Sequence, residues 1–212
     1  MSHEHAAGHA AGHDEEPFIP YISDPHPETG VSNGKLAIWV FLASEVMLFG
    51  ALFSSYVLLR VGSNTWPHPA DVLNVPLAAL NTVVLITSSV TVVMSWAMLK
   101  LRNLARAKLY LWLTILCAFG FLIIKTIEYS TKFEHGNYPS KHAFYAVYFT
   151  LTGLHGIHVV AGIVVMLYLV TAGAKMYEKE PERFTGRIES AGLYWHFVDL
   201  VWIFLFPSIY LL

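Results

Sequence analysis

The sequence has little charge and only one cysteine. Asp, Glu, Lys and Arg make up 13% of its 212 residues, whereas soluble globular domains have roughly 25%. Helices that pack together in water need polar outer faces, and this composition cannot supply them. The lone Cys117 excludes an internal disulfide and a thiolate metal cluster, and the formal net charge of −2 does not indicate nucleic-acid binding. The composition is typical of an integral membrane protein.

The first 34 residues lack the basic and then apolar pattern of a cleaved secretory signal. They begin with MSHEHAAGHAAGHDEE, a small, polar and acidic stretch that contains four histidines. Such a segment buries too little apolar surface to fold alone, so we expect residues 1–34 to be mobile. The histidines could bind a metal ion or come from a purification tag, but their irregular spacing favours a tail without a function.

Five apolar stretches are long enough to cross a bilayer as helices, for which about 20 residues suffice. Polar or charged connectors separate them. The sequence therefore predicts an all-α integral membrane protein whose residues 35–212 form a bundle of five transmembrane helices. The predicted spans are about 36–59, 76–99, 108–129, 143–174 and 188–212.

Basic residues are distributed unequally between the two sides of the predicted bundle. Nine Lys and Arg residues lie on the side of the N-terminus and four on the opposite side. Because positive charge accumulates on the cytoplasmic side of membrane proteins, we expect the N-terminus in the cytoplasm and the C-terminus outside.

Polar residues within the second and third spans suit contacts between helices. Lys125 and Glu128 of the third span are three positions apart, so we expect them to pair and to snorkel outward. The second span has four polar residues that fall on one helical face and suit helix–helix hydrogen bonding. These four residues are Asn81, Ser88, Thr91 and Ser95.

Glu45 of the first span and two histidines of the fourth, His155 and His158, are predicted at overlapping depths. At a rise of 1.5 Å per residue, Glu45 lies roughly 14 Å inside the cytoplasmic end of its span, and the histidines lie roughly 18 and 22 Å from the outer end of theirs. In a hydrocarbon core of about 30 Å these depths overlap. We therefore expect Glu45 to bond to one imidazole, directly or through one water. The alternative is a protonated Glu45 that bonds only to a backbone carbonyl or a serine.

His196 and Asp199 lie within YWHFVDLVWIFLF, an apolar stretch of the fifth span. The two residues are about one helical turn apart, so they can satisfy each other or a neighbouring helix away from lipid. Pro207 follows in the same span. It has no backbone donor, and we expect it to interrupt the helix and to free the carbonyl of Ile203.

The intramembrane histidines permit two further hypotheses. They could ligate haem or a metal ion, but the spans contain no Glu-x-x-His motif and few of the carboxylates that a di-iron site needs. The chain could also be a stand-alone proton or ion carrier, although the sequence shows no internal repeat of the kind that carriers often have. The relay of such a carrier would consist of Glu45, His155, His158 and Asp199.

Five motifs, in the same order, resemble subunit III of the haem–copper respiratory oxidases in its short, five-helix bacterial form. The resemblance covers nearly the whole chain after about Lys35. The two additional N-terminal helices of the longer, mitochondrial-type form are missing, and with them part of that form's lipid-filled cleft. The motifs are SEVMLFG, VPLAALNTVVLITSS, IEYSTKF, TGLHGIHV and YWHFVDLVWIFLFPSIY.

The resemblance implies a subunit of a proton-pumping terminal oxidase that itself carries no redox centre and no metal. It implies haem and copper in the partner subunits, packing on subunit I, neighbouring subunit II and smaller subunits, and bound phospholipids. Glu45, His155 and His158 would then support proton uptake. The structural polar residues would be Asn81, Ser88, Glu128, His196 and Asp199.

The last two motifs also bear on the electron donor. Their residues, TGLHGIHV and WHFVDLVW, favour a cytochrome c oxidase. A quinol oxidase is the alternative. In either case the implied location is the bacterial cytoplasmic membrane, which the chain would cross several times.

Overall fold

The computed structural model describes residues 33–212, so the predicted mobile tail lies outside the described residues except for its last two positions. The described part is helical, without a strand. Five of its helices are long and apolar enough to cross a membrane, which confirms the predicted five-helix bundle. The α-helices are α1 (Asn33–Val61), α2 (Pro69–Val72), α3 (Val75–Lys100), α4 (Leu104–Glu134), α5 (Ala143–Val170) and α6 (Pro181–Phe206).

The long helices are arranged as a four-helix core with one helix outside it. Within the core, α3 packs on α4, α4 on α5, α5 on α6 and α6 on α3. Helix α1 lies against α5 and α6 and buries only Phe49 and Tyr56 completely. Most of the apolar surface of α1 therefore remains open to lipid or to a partner.

Three helices differ from the predicted spans by four or more residues at an end. Helix α4 covers Leu104–Glu134 instead of 108–129. Helix α5 ends at Val170 instead of continuing to 174, and a short 3-10 helix, Gly173–Glu178, follows it. Helix α6 begins at Pro181 instead of 188, because the charged segment before the apolar run is also helical and proline fits the first position of a helix. Apolar content marks the part of a helix inside the membrane and does not detect a polar extension.

The chain stays helical beyond Pro207, where we expected an interruption. The α-helix ends at Phe206 and a π-helix, Pro207–Leu211, continues it. The backbone carbonyl of Ser208 accepts a hydrogen bond from Tyr56 at 2.5 Å. The proline thus changes the type of helix, and the last turn is held against α1.

Candidate functional site

The first polar cluster joins α1 to α5 through Glu45 and His158. The Oε2 atom of Glu45 lies 2.8 Å from Nε2 of His158. The other imidazole nitrogen, Nδ1, lies 2.8 Å from the backbone carbonyl of Leu154. A carbonyl can only accept, so Nδ1 must carry a proton and donate it.

This geometry lets the Glu45–His158 pair hold one proton between its two members. With Nδ1 protonated, Nε2 either accepts a hydrogen bond from a neutral carboxyl or donates one to a carboxylate as part of an imidazolium. Both arrangements use the same two heavy atoms at the same distance. The pair can therefore change from a neutral to an ionic form by moving one proton, without any rearrangement of the helices.

The surroundings of the pair are apolar but not closed. Each side chain keeps 13% of its surface exposed. The ring of Phe49 packs edge-on against the imidazole, with 5.2 Å between the ring centres, and Tyr194 donates to the backbone carbonyl of His158. The pair is thus mostly buried and partly accessible.

The predicted contact between Glu45 and a histidine is confirmed for His158 and does not involve His155. His155 is completely buried, with its ring 5.6 Å from that of Phe121 and 5.2 Å from that of Trp202. Neither of its nitrogens has a hydrogen-bond partner among the described residues. Three residues turn a helix by about 300°, which is enough to place His158 at the edge of the bundle and His155 in its interior.

The second polar cluster surrounds Glu128 in the core. Lys125 Nζ lies 2.9 Å from its Oε2 atom, and the hydroxyls of Tyr148 and Tyr210 each donate to Oε1 at 2.9 Å. Lys125 also donates to Tyr210 at 2.6 Å. The carboxylate thus has three donors from α4, α5 and the C-terminal π-helix.

The predicted pairing of Lys125 with Glu128 is confirmed, but the prediction that they snorkel outward is wrong. Lys125 is 6% exposed and Glu128 is 5% exposed. Helix α4 continues to Glu134, so the pair lies roughly two turns inside the helix and not at its end. Four aromatic rings, with centres 5.2–5.6 Å from Nζ, enclose the ammonium group: those of Tyr129, Tyr148, Trp202 and Tyr210.

The polar face of α3 makes the expected hydrogen bonds between helices. Ser88 accepts from the indole of Trp195 at 3.0 Å, and Thr91 bonds to Thr114 at 2.7 Å. Ser95 donates to a backbone carbonyl of α4 at 3.0 Å. Asn81 is the exception, since it is fully buried and neither its amide nitrogen nor its oxygen has a partner among the described residues.

The sequence interpretation missed the two tryptophans that hold α6 to α3. Trp195 donates to Ser88, and Trp202 donates to Thr82 at 3.0 Å. Both are completely buried. The signal was present in the sequence, because residues seven positions apart lie on one face of a helix.

His196 and Asp199 are close in sequence but do not bond to each other. His196 Nδ1 lies 2.5 Å from the hydroxyl of Ser89 on α3, so a neighbouring helix satisfies this nitrogen. Asp199 is 4% exposed. Neither of its carboxyl oxygens has a hydrogen-bond partner within residues 33–212.

The described residues do not bring three or more His, Cys, Asp or Glu side chains together in a way that could hold a metal ion. The chemistry of both clusters is that of shared protons and hydrogen bonds. The Glu45–His158 pair offers a movable proton near the surface. The Glu128 cluster offers a fully bonded charge in the interior.

Comparison with known proteins gives a family. The sequence profile described as Cytochrome c oxidase subunit III matches residues 22–212. Cytochrome c oxidase subunit 3 of Bacillus subtilis is 34% identical over 205 residues, which cover 93% of this chain and 97% of the relative. The protein of the same name from Alkalihalophilus pseudofirmus is 33% identical over 88% of this chain and 92% of its own length. Cytochrome bo(3) ubiquinol oxidase subunit 3 of Pseudomonas aeruginosa is 30% identical over 98% and 94%.

Proposed function

The chain belongs to the cytochrome c oxidase subunit III family, and we propose on this premise that it supports the oxygen-reducing core of its complex without a redox centre of its own. It is a multi-pass membrane subunit of a haem–copper oxidase. In our proposal haem and copper reside in the partner subunits, and the chain packs on subunit I, with subunit II and smaller subunits nearby. Phospholipids cover the apolar surfaces that remain.

The observation that carries the proposed role is the Glu45–His158 pair. It lies in a membrane helix bundle, and it can hold one proton in either of two forms. Glu45 belongs to α1, the helix that is least covered by the rest of the chain. A partner seated there could exchange a proton with the pair. We infer that the pair buffers proton uptake by subunit I.

The test is the Glu45→Gln variant in the purified oxidase complex. Glutamine keeps the shape and one hydrogen bond but cannot release a proton. We expect normal assembly, a nearly normal initial rate and a several-fold shorter period of sustained turnover. Glu189→Gln is the matched control, because Glu189 makes a partly exposed ion pair with Lys35 at 2.8 Å. Sustained turnover equal to that of the unaltered complex in Glu45→Gln would contradict the proposed role.

The donor in our proposal is cytochrome c, with a quinol as the second candidate. Two of the relatives described above are named cytochrome c oxidase subunits, and the third is named a ubiquinol oxidase subunit. Oxygen consumption by the purified complex with reduced cytochrome c, compared with a quinol, decides between them. A stand-alone carrier is the remaining alternative, and proton flux by the isolated chain in vesicles would support it.

We place the chain in the bacterial cytoplasmic membrane with its N-terminus inside. Arg102 lies in the connector between α3 and α4, and Arg106 lies in the first turn of α4; this excess of positive charge supports the orientation. A cysteine introduced at Arg102 should react with a membrane-impermeant reagent only after the cells are opened. Labelling of intact cells at that position would reverse the orientation.

A further inference from the structure

Helix α6 contacts α1 on both sides of Glu45. The ring of Tyr194 lies 6.0 Å from that of Phe41, centre to centre, and the ring of Phe197 lies 6.2 Å from that of Phe49. Phe41 and Phe49 are four residues before and four residues after Glu45, so they lie about one turn to either side of it on the same face of α1. Glu45 therefore lies between two aromatic contacts that α6 makes with α1.

Tyr194 also binds the other half of the pair, through the backbone of α5. Its hydroxyl donates to the backbone carbonyl of His158 at 2.9 Å. A carbonyl within an α-helix accepts from the amide four residues later, here that of Gly162, and its second lone pair can take another donor. Gly162 has no side chain, and an added Cβ would lie 3.4 Å from the ring of Tyr194 and 2.6 Å from the ring of Trp195. Tyr194 therefore links the helix that carries Glu45 to the helix that carries His158.

The contact between Glu45 and His158 depends on the rotation of α5 about its axis. His155 lies about 60° away from His158 around the helix, and it is completely buried. The imidazole of His158 is held within α5, because its Nδ1 atom bonds to the carbonyl of Leu154. A small rotation of α5 therefore carries the whole imidazole away from Glu45. The hydrogen bond from Tyr194 opposes such a rotation, because it joins the backbone of His158 to α6.

We propose that Tyr194 is a positioning residue for the Glu45–His158 pair: its hydroxyl sets the rotation of α5 that places Nε2 of His158 opposite the carboxyl of Glu45. The inference rests on the proposed role of the pair in proton uptake and specifies what keeps the pair formed. In this role the hydroxyl acts through the backbone of α5 and does not exchange a proton with the pair. A purely structural hydroxyl would stabilise the bundle without affecting the hydrogen bond between Glu45 and His158.

The experiment observes the Glu45 carboxyl group by infrared spectroscopy of the purified oxidase complex. Its band is the one that Glu45→Gln removes, and His158→Gln gives the position of this band without an imidazole partner. Tyr194→Phe removes the hydroxyl and keeps the ring that contacts Phe41. We expect the Glu45 band in Tyr194→Phe to shift from its position in the unaltered complex toward its position in His158→Gln. An unshifted band in Tyr194→Phe would overturn the inference.

Tyr129→Phe is the matched control. The Tyr129 hydroxyl also bonds to α5, at Thr152, but it comes from α4 and not from α6. Each variant loses one tyrosine hydroxyl bonded to α5, so we expect each to raise the equilibrium constant of unfolding roughly threefold, the effect of an average hydrogen bond between membrane helices. The Glu45 band should shift in Tyr194→Phe and stay in place in Tyr129→Phe. Equal shifts in the two variants would overturn the inference, because any loosening of α5 would then be sufficient.

Sustained turnover of the same variants separates the inference from the proposed function. Tyr194→Phe should shorten sustained turnover less than Glu45→Gln does, since it loosens the pair and does not remove it. If Glu45→Gln shortens turnover but the Glu45 band is unshifted in Tyr194→Phe, the proposed function stands and Tyr194 is not a positioning residue. If the band shifts in Tyr194→Phe while Glu45→Gln keeps normal turnover, the inference stands and the proposed function of the pair fails.

Discussion

Glu45 and Glu128 are both carboxyl groups inside the membrane bundle, yet their surroundings differ in depth and in number of partners. Glu128 is 5% exposed and has a lysine and two tyrosine hydroxyls around it. Glu45 has His158 as its one hydrogen-bond partner among the described residues, and both side chains keep 13% of their surface exposed. The first arrangement surrounds a carboxyl with several donors, and the second leaves a carboxyl with one partner that can share a proton with it.

The difference in burial and in number of partners also predicts different roles for the two carboxyl groups, one in stability and one in function. Both oxygens of the buried Glu128 carboxyl are hydrogen-bonded. Such an ion pair matters for the fold mainly because removing one member leaves the other buried without a partner. A pair at an accessible edge stabilises less and can exchange its proton. We therefore expect substitutions at the Glu128 cluster to affect folding, and substitutions at the Glu45–His158 pair to affect turnover.

Lys125→Met should have the largest effect on folding. It leaves the Glu128 carboxylate buried without its cation, and breaking a buried pair in this way costs about 3–5 kcal/mol. The measurement is the free energy of unfolding in mixed micelles. A double variant, Lys125→Met with Glu128→Gln, is the control, because it removes the charge on both sides and should recover part of the loss. A loss below about 1 kcal/mol in Lys125→Met would show that the two clusters do not differ as described.

Tyr210→Phe isolates one hydroxyl of the same cluster. The Tyr210 hydroxyl donates to Glu128 and accepts from Lys125, and a hydrogen bond to a charged group contributes about 1.5–3 kcal/mol. We expect a loss in that range, together with easier proteolysis of the C-terminal π-helix that Tyr210 anchors. Tyr168→Phe is the matched control on α5, because the Tyr168 side chain is 51% exposed. An equal loss in both variants would argue against a specific role of the cluster.

Gly162→Ala tests the packing beside the Glu45–His158 pair. An added Cβ would lie 2.6 Å from the ring of Trp195, so α5 and α6 would have to move apart. Overpacking of this kind costs typically about 1–3 kcal/mol. Gly156→Ala is the matched control, since a Cβ there meets nothing within 4 Å. If both variants unfold with the same free energy, the close approach of α5 and α6 is not required.

The sequence predicted the number of spans and the contact between Glu45 and one of two histidines, because length and depth follow from residue counts along a helix. It did not predict which histidine. Which histidine contacts Glu45 depends on how α5 is rotated about its axis relative to its neighbours. The spacing of side chains within one helix does not predict this rotation. The prediction that Lys125 snorkels outward was wrong for a related reason. Helix α4 stays helical beyond its apolar run, so Lys125 and Glu128 lie farther from the end of the helix than expected. The hydrogen bonds of Trp195 and Trp202 were missed, because their acceptors lie on another helix.

Glu45→Gln should have the smallest effect on folding. A small effect would separate the Glu45–His158 pair most clearly from the Glu128 cluster. The amide keeps a hydrogen-bonding group opposite His158 Nε2, and a typical hydrogen bond contributes about 1 kcal/mol. We therefore expect the free energy of unfolding to change by no more than that, while sustained turnover of the complex shortens several-fold. His158→Gln is the companion variant, since it removes the other member of the pair and should shorten turnover to a similar extent. A loss of stability as large as that of Lys125→Met would place Glu45 in the same class as Glu128 and remove the distinction between a fixed charge and a movable proton.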